Sequence, residues 1–281
     1  MKKIIYLFLL ILIYSNAIAQ KNDGTVSSLI KAEKYFNEYL SKEGLSKSFL
    51  KFASDKGVVF RPNPININEY YNQNPSDTKN LSREPEFAMI SKAGDLGFTS
   101  GLYTLANEES SSYVHYLSIW KSKNQKKWKL VLDAGIEHKK PLYKPANQFI
   151  DPIDYKYSKL IGPKKIKMRE DIVFSTDLLF SKSLDKSGNK SLNDFYSSNV
   201  RFYFPNQLPI IGKSNAIDFI YQMGKPLICF PNFVDRAFSG DLAYTNGKAS
   251  IGLNKYNYIR IWQKDLESKW NIILDMYVFE E

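Results

Sequence analysis

The chain has 281 residues, a formal charge of +10, one cysteine and two histidines. That inventory excludes an intramolecular disulfide framework and a His/Cys metal cluster. The lysines are dispersed rather than gathered with Arg and aromatic residues, so the charge reads as a solvated surface and not as a nucleic-acid site.

Residues 1–19 read as a signal peptide. Lys2 and Lys3 precede an apolar run from Ile4 to Tyr14, and Ala17-Ile18-Ala19 forms an A-x-A cleavage site. Cleavage there leaves Gln20 at the new terminus and a periplasmic or secreted protein; an uncleaved anchor is the alternative. The run is shorter than the roughly 20 residues a bilayer span needs, and no later segment has that length and apolarity.

A helix follows, with Leu29, Ala32, Phe36 and Tyr39 on one face. A second, short helix carries Leu45, Phe49, Phe52 and Ala53, with Ser46 as its cap. A strand is expected at 58–60. Then comes a Pro- and Asn-rich excursion to Asn80, with a helical turn near 69–71. Four strands follow, at 85–91, 96–104, 114–122 and 128–136, turning at Gly94-Asp95 and at Asn124-Gln125-Lys126. Residues 140–167, rich in Pro, Lys and Tyr, read as a linker packed along the surface. The second half brings a helix near 172–184, a strand at 200–204, a turn into a helix at 212–217, and another four-strand meander ending at Val278.

The halves repeat one another. Gly94-Asp95-Leu96-Gly97-Phe98-Thr99-Ser100-Gly101 returns as Gly240-Asp241-Leu242-Ala243-Tyr244-Thr245-Asn246-Gly247. Tyr116 to Trp120 returns as Tyr258 to Trp262, and Trp128 to Asp133 as Trp270 to Asp275. Two repeats do not make a solenoid. They read as two α+β domains, 24–139 and 168–281, each with N-terminal helices on a curved antiparallel sheet in a cone. The two are expected to be separable, or to pair within the chain as a homodimer would.

Several stretches carry a resemblance. Phe49-Leu50-Lys51-Phe52 stands before Val59-Phe60-Arg61-Pro62, followed by Glu84-Pro85 and Gly94-Asp95-Leu96-Gly97. Trp120, Trp128 and Leu132-Asp133-Ala134-Gly135 close the pattern. It resembles the nuclear-transport-factor-2-like superfamily, which includes ketosteroid isomerases and SnoaL-like polyketide cyclases, and most closely a bacterial branch without an assigned activity. The second half matches more loosely, through Gly212-Lys213, Gly240-Asp241-Leu242, Trp262 and 270–275. The resemblance implies a conical pocket between helices and sheet, used by different members for catalysis, ligands or dimer contacts. It implies no chemistry by itself.

Residues shared by both halves read as structural, except that Asp133 and Asp275 could bond a backbone neighbour or face a pocket. The first half alone holds Arg61, Glu84 and His115, where the second has Phe204-Pro205, Phe230 and Asn257. Arg61, Glu84, His115 and Asp133 are therefore the candidate pocket residues. His115 shares a strand face with Leu117 and Ile119 and offers a base or a half-buried structural histidine. Arg61 and Glu84 offer either pocket groups or an ion pair. Cys229, in an apolar run, reads as a buried thiol. No P-loop, dinucleotide fingerprint or G-x-S-x-G occurs, so no cofactor or metal is expected. The reading is an exported cell-envelope protein that binds a small apolar or amphipathic molecule, or a partner, without catalysis. The alternative is a cofactor-free acid/base enzyme of isomerase, dehydratase or cyclase type in the first cavity.

Overall fold

The computed structural model describes residues 22–106, 111–123, 126–156, 162–187 and 191–280. The signal-peptide reading and Asn124-Gln125 of the expected turn lie outside them. The first helix, α1 (Val26–Glu43), starts where the Thr25 side chain accepts from Ser28 N and ends at Gly44, whose φ of 89° few other residues tolerate. Its buried face is Leu29, Ala32, Phe36 and Leu40, the 3.6-residue spacing. Helix α2 (Leu45–Phe52) follows at once. Its N-cap is Gly44, not Ser46; the Ser46 hydroxyl accepts from Ser76 N at 2.7 Å and ties down the excursion instead.

Strand β1 (Ala53–Phe60), β2 (Pro64–Asn66) and helix α3 (Ile67–Gln73) lead into the meander β3 (Leu81–Ile90), β4 (Leu96–Ala106), β5 (Ser111–Ser122) and β6 (Trp128–His138). Gln148–Ile150 forms β7, which pairs in parallel with β3, and helix α4 (Pro163–Ser187) begins at a proline, a residue suited to a first helical turn. The second unit continues with α5 (Leu192–Phe195), β8 (Tyr196–Tyr203), β9 (Ile210–Ile211) and α6 (Lys213–Gln222). Strands β10 (Leu227–Arg236), β11 (Leu242–Ile251), β12 (Asn254–Lys264) and β13 (Trp270–Phe279) complete it. No helix among the described residues is long and apolar enough to cross a membrane.

Two α+β units result, each with its own sheet. The orders are β2-β1-β6-β5-β4-β3-β7 and β9-β8-β13-β12-β11-β10, the same path apart from β7. Even the irregularities match. Both units shift register at Pro85/Phe87 and Pro231/Phe233, opposite Gly101 and Gly247, where a Cβ would collide with the carbonyls of Glu84 and Phe230. Both shift again at Ile119/Trp120 and Ile261/Trp262. Gly101 faces Tyr116 as Gly247 faces Tyr258, so the four extra residues of the first half lie toward the hairpin tip.

Strand alternation sets the layers. Tyr116, Ser118 and Trp120 face the first unit's helices, over a core with Phe36, Phe49 and Phe52. Leu117 and Ile119 face the other way and share one core with Ile259, Ile261 and Met276 of the second sheet. At the edge of this contact, Lys92 N donates to Asp241 Oδ2 and Phe238 N to Asp95 Oδ2, both at 3.0 Å. Each Gly-Asp turn thus supplies its aspartate to the backbone before the other's turn.

Candidate functional site

A cavity of about 500 Å³ lies between the helices and the concave face of the first sheet. Arg61 and Asp133 both line it. Asp133 Oδ2 accepts from Ser118 at 2.7 Å and lies 3.0 Å from Arg83 Nη2, while Oδ1 lies 3.4 Å from Arg61 Nη2. Arg83 also sits 3.1 Å from Glu33 on α1, touches the Ser118 hydroxyl and stacks 4.0 Å over the Tyr116 ring. Burial works against the charge on Arg83, but Asp133 and Glu33 outweigh it and raise its pKa. Both oxygens of Asp133 are therefore engaged.

Arg61 is held less firmly. Nη1 donates to the Phe60 carbonyl at 2.8 Å, but the Nη2 contacts to Asp133 and Tyr71 are 3.4 and 3.5 Å, the outer limit of a hydrogen bond. Burial pushes the Tyr71 phenol up to about 12, against the pull of Arg61, and raises Tyr103 and Tyr116 too. These phenols stay protonated at neutral pH. Tyr116 is among the lining residues, but its hydroxyl is itself fully buried, out of reach of a water-sized molecule, and has no acceptor among the described residues, since adjacent Arg83 only donates. Asn206 and Phe279 of the second unit border the same cavity.

The other two candidates lie elsewhere. Glu84 is exposed and ion-paired with Lys144, so it neither enters the cavity nor pairs with Arg61. The cause is the bulge in β3: Arg83 turns to the helices, Glu84 to solvent, and the extra residue Glu86 turns inward. His115 is on the Leu117 face, which meets the second sheet rather than the cone. There its Nε2 is 3.1 Å from Glu86 and its Nδ1 2.9 Å from His138 Nε2, with Tyr203 of the second unit 5.4 Å away ring to ring.

Aromatic side chains pack the corresponding part of the second unit. Register places Phe202 beside Asp275 as Val59 stands beside Asp133, so Phe204, one residue on from the sequence alignment, replaces Arg61. It packs against Phe202, Phe219, Tyr256 and Tyr277. Arg260, fully buried, is gripped by Asp177 at 2.6 Å and Asp275 at 3.1 Å, and lies 3.0 Å from both Tyr277 and Cys229. Burial raises the Asp275 carboxyl against the pull of Arg260, and pushes the Cys229 thiol up to about 11, leaving it unreactive.

The sequence reading passed over Arg83, Glu33, Glu86, Asp177, Arg201 and Arg260. One signal could have found the arginines. This lysine-rich chain has six, and none is classed as exposed. A planar, weakly hydrated guanidinium is the cation that tolerates burial against carboxylates. Among the described residues, no group of three His, Cys, Asp or Glu is placed to hold a metal ion.

No protein-family profile matches the chain, and no curated protein does. Solved structures with a related fold cover one unit's worth of it. An NTF2-like protein from Pseudomonas putida is 13% identical over 40% of this chain and 87% of its own, with a TM-score of 0.34. A ketosteroid isomerase-like protein from Erwinia carotovora atroseptica is 10% identical over 43% and 99%, at 0.34. A cystatin-like domain from Nostoc punctiforme is 13% identical over 41% and 78%, at 0.34.

Proposed function

We propose that this chain is an exported cell-envelope protein that binds a small molecule in the cone of its first unit. The ligand has a hydrogen-bond-accepting head and an apolar body. The observation that carries the reading is the loosely held Arg61, whose Nη2 contacts are at 3.4 and 3.5 Å, in a cavity of about 500 Å³. A guanidinium makes its strong hydrogen bonds to carboxylate and carbonyl oxygens, so a ligand oxygen placed on Arg61 gains about 1.5–3 kcal/mol. Leu45, Phe49 and Leu81 supply the apolar wall. The state of Asp133 favours binding over turnover: an acid/base reaction needs a carboxylate oxygen free to take a proton, and two guanidinium groups and a hydroxyl occupy both.

The same reading includes two diverged nuclear-transport-factor-2-like copies, 24–139 and 168–281, of which the second has become a packed partner. Matching strand orders and bulges support it. Export rests on residues 1–19, with Gln20 the expected first residue of the mature protein. Asn22, two residues on, is already fixed to Lys126 and Gly94.

Native mass spectrometry of protein purified from its envelope fraction tests the binding site. The parent is expected to carry a co-purifying small molecule that Arg61→Gln releases. A bare parent, or an adduct that survives Arg61→Gln, overturns the proposal. N-terminal sequencing of the same sample tests export: a chain starting at Met1 would refute it.

A further inference from the structure

A second cavity, of about 370 Å³, opens between the two units on the side of His115. Glu86, His115 and Arg201 line it, and each is at most 3% exposed. Leu102, Leu208 and Ile211 give it apolar walls, and Leu142 of the connection, 90% exposed, stands at its rim. Large apolar side chains left open above a buried polar floor are the composition of a ligand site.

The charges at that floor do not cancel. The Lys139 carbonyl lies 2.6 Å from His138 Nδ1, which must donate to it. His138 Nε2 is then the acceptor for His115 Nδ1–H, and His115 Nε2 meets the Glu86 carboxylate. The Glu86 carboxyl is thus taken up by the row of histidines. Arg201 stays unbalanced. Its Nη2 donates to Gln148 at 3.0 Å and its guanidinium lies 4.3 Å from the Phe87 ring, but no carboxylate among the described residues is within ion-pair distance. The other deeply buried arginines, Arg83 and Arg260, are each held between two carboxylates.

The opposite side of the molecule shows that the opening is not a demand of the fold. Asn257 stands at the position of His115, and Lys248 at that of Leu102. There Asn63 closes the gap, its Oδ1 3.2 Å from Asn257 and 3.4 Å from Lys248, while Lys248 pairs with Glu280 at 2.7 Å. One side is sealed by hydrogen bonds; the other is open over a buried cation that has no carboxylate partner among the described residues.

We infer that the inter-unit crevice binds a small organic monoanion with an apolar body, its anionic head on Arg201 and its body along Leu102, Leu208 and Ile211. A buried cation is costly without a counter-charge, and an oxyanion on a guanidinium is among the stronger polar contacts. The site is separate from the cone and does not depend on the cone holding a ligand.

The probe is 1-anilinonaphthalene-8-sulfonate, titrated by fluorescence into the folded full chain beside its uncharged relative N-phenyl-1-naphthylamine. Saturable binding of one sulfonate is expected. Arg201→Gln should weaken it about tenfold or more while changing the uncharged probe by less than about twofold. Leu208→Trp alters a partly exposed side chain, so the fold tolerates it, and the indole should block both probes. That variant decides the matter should Arg201→Gln fail to fold by circular dichroism. Sulfonate binding that survives Leu208→Trp overturns the inference. So does equal loss of both probes in folded Arg201→Gln, or binding lost in Arg61→Gln but kept in Arg201→Gln, which would place the anion in the cone.

Discussion

The buried guanidinium of each unit comes from a different strand. In the first it is Arg83 on β3, touching Ser118 on β5; in the second it is Arg260 on β12, touching Cys229 on β10. Strand registers make Arg83 equivalent to Cys229 and Ser118 equivalent to Arg260. The acids around them keep their places, Glu33 and Asp133 in one unit, Asp177 and Asp275 in the other. The fold needs one cation between a helix acid and a strand acid, and either strand can deliver it. Arg260→Ser alone should therefore cost about 3–5 kcal/mol, the penalty for leaving buried carboxylates unpaired. Adding Cys229→Arg should recover a substantial part of that loss in urea unfolding. A double variant no more stable than the single one would show the two positions are not interchangeable.

His138 offers a pH test at the same scale. Burial, with the neighbouring His115, holds its pKa below the ordinary 6.5, although the Lys139 carbonyl and Glu86 pull the other way. Between the folded value and 6.5 the unfolded chain binds the proton and the folded chain does not. The His138 contribution is therefore intact above about pH 6.5 and is lost as pH falls below it. Melting temperatures at about pH 7.5 and about pH 5.5 should fall further apart in the parent than in His138→Gln. Equal drops would assign the acid sensitivity to other groups.

At the scale of elements, what was legible was what has a period. Leu29, Ala32 and Phe36 gave α1, and the meander strands lie within two to four residues of their expected ends. Arg61 was legible as a cavity residue because the second half lacks it, and Asp133 because a carboxylate after an apolar strand run can face a pocket. Glu84 was singled out because the second half has Phe230 there, and a difference between halves does not say which face of a bulged strand the side chain takes. The row Glu86, His115, His138 was hidden because the bulge at Pro85 turns Glu86 toward His115. Gly101 gave the clue, being a strand glycine repeated as Gly247. Gly101→Ala should destabilise by about 1–3 kcal/mol or more, since the methyl group would run into backbone and not into a side chain that can swing away. An unchanged denaturation midpoint would mean the bulge relaxes freely.

At the scale of the whole molecule, the repeat announced two units but not how they meet. Leu117 and Ile119 belong to strands whose alternation is equally consistent with facing helices or facing another sheet. Only the assembled sheets show that both apolar faces are used, the second against the other unit. The reciprocal aspartates, the Lys121–Asp235 pair at 2.7 Å and the pairing of β7 with β3 add polar ties across the same boundary. An interface of this apolar kind stays closed, whereas the smaller polar contacts between ordinary domains let them move. The connection is therefore dispensable once the chain has folded. Chymotrypsin should cut first after Leu142 or Tyr143, both strongly exposed and outside any helix or strand. The two fragments should then co-elute in gel filtration and melt in a single transition. β7 would hold them as well, because it leaves with the second fragment yet lies in the first sheet. Adding Asp95→Ala and Asp241→Ala should lower the melting temperature of the nicked protein more than that of the intact chain, since only the nicked form relies wholly on the interface. Fragments that separate on nicking, each still folded, would mean the inter-sheet core contributes little and the linker alone joins the units.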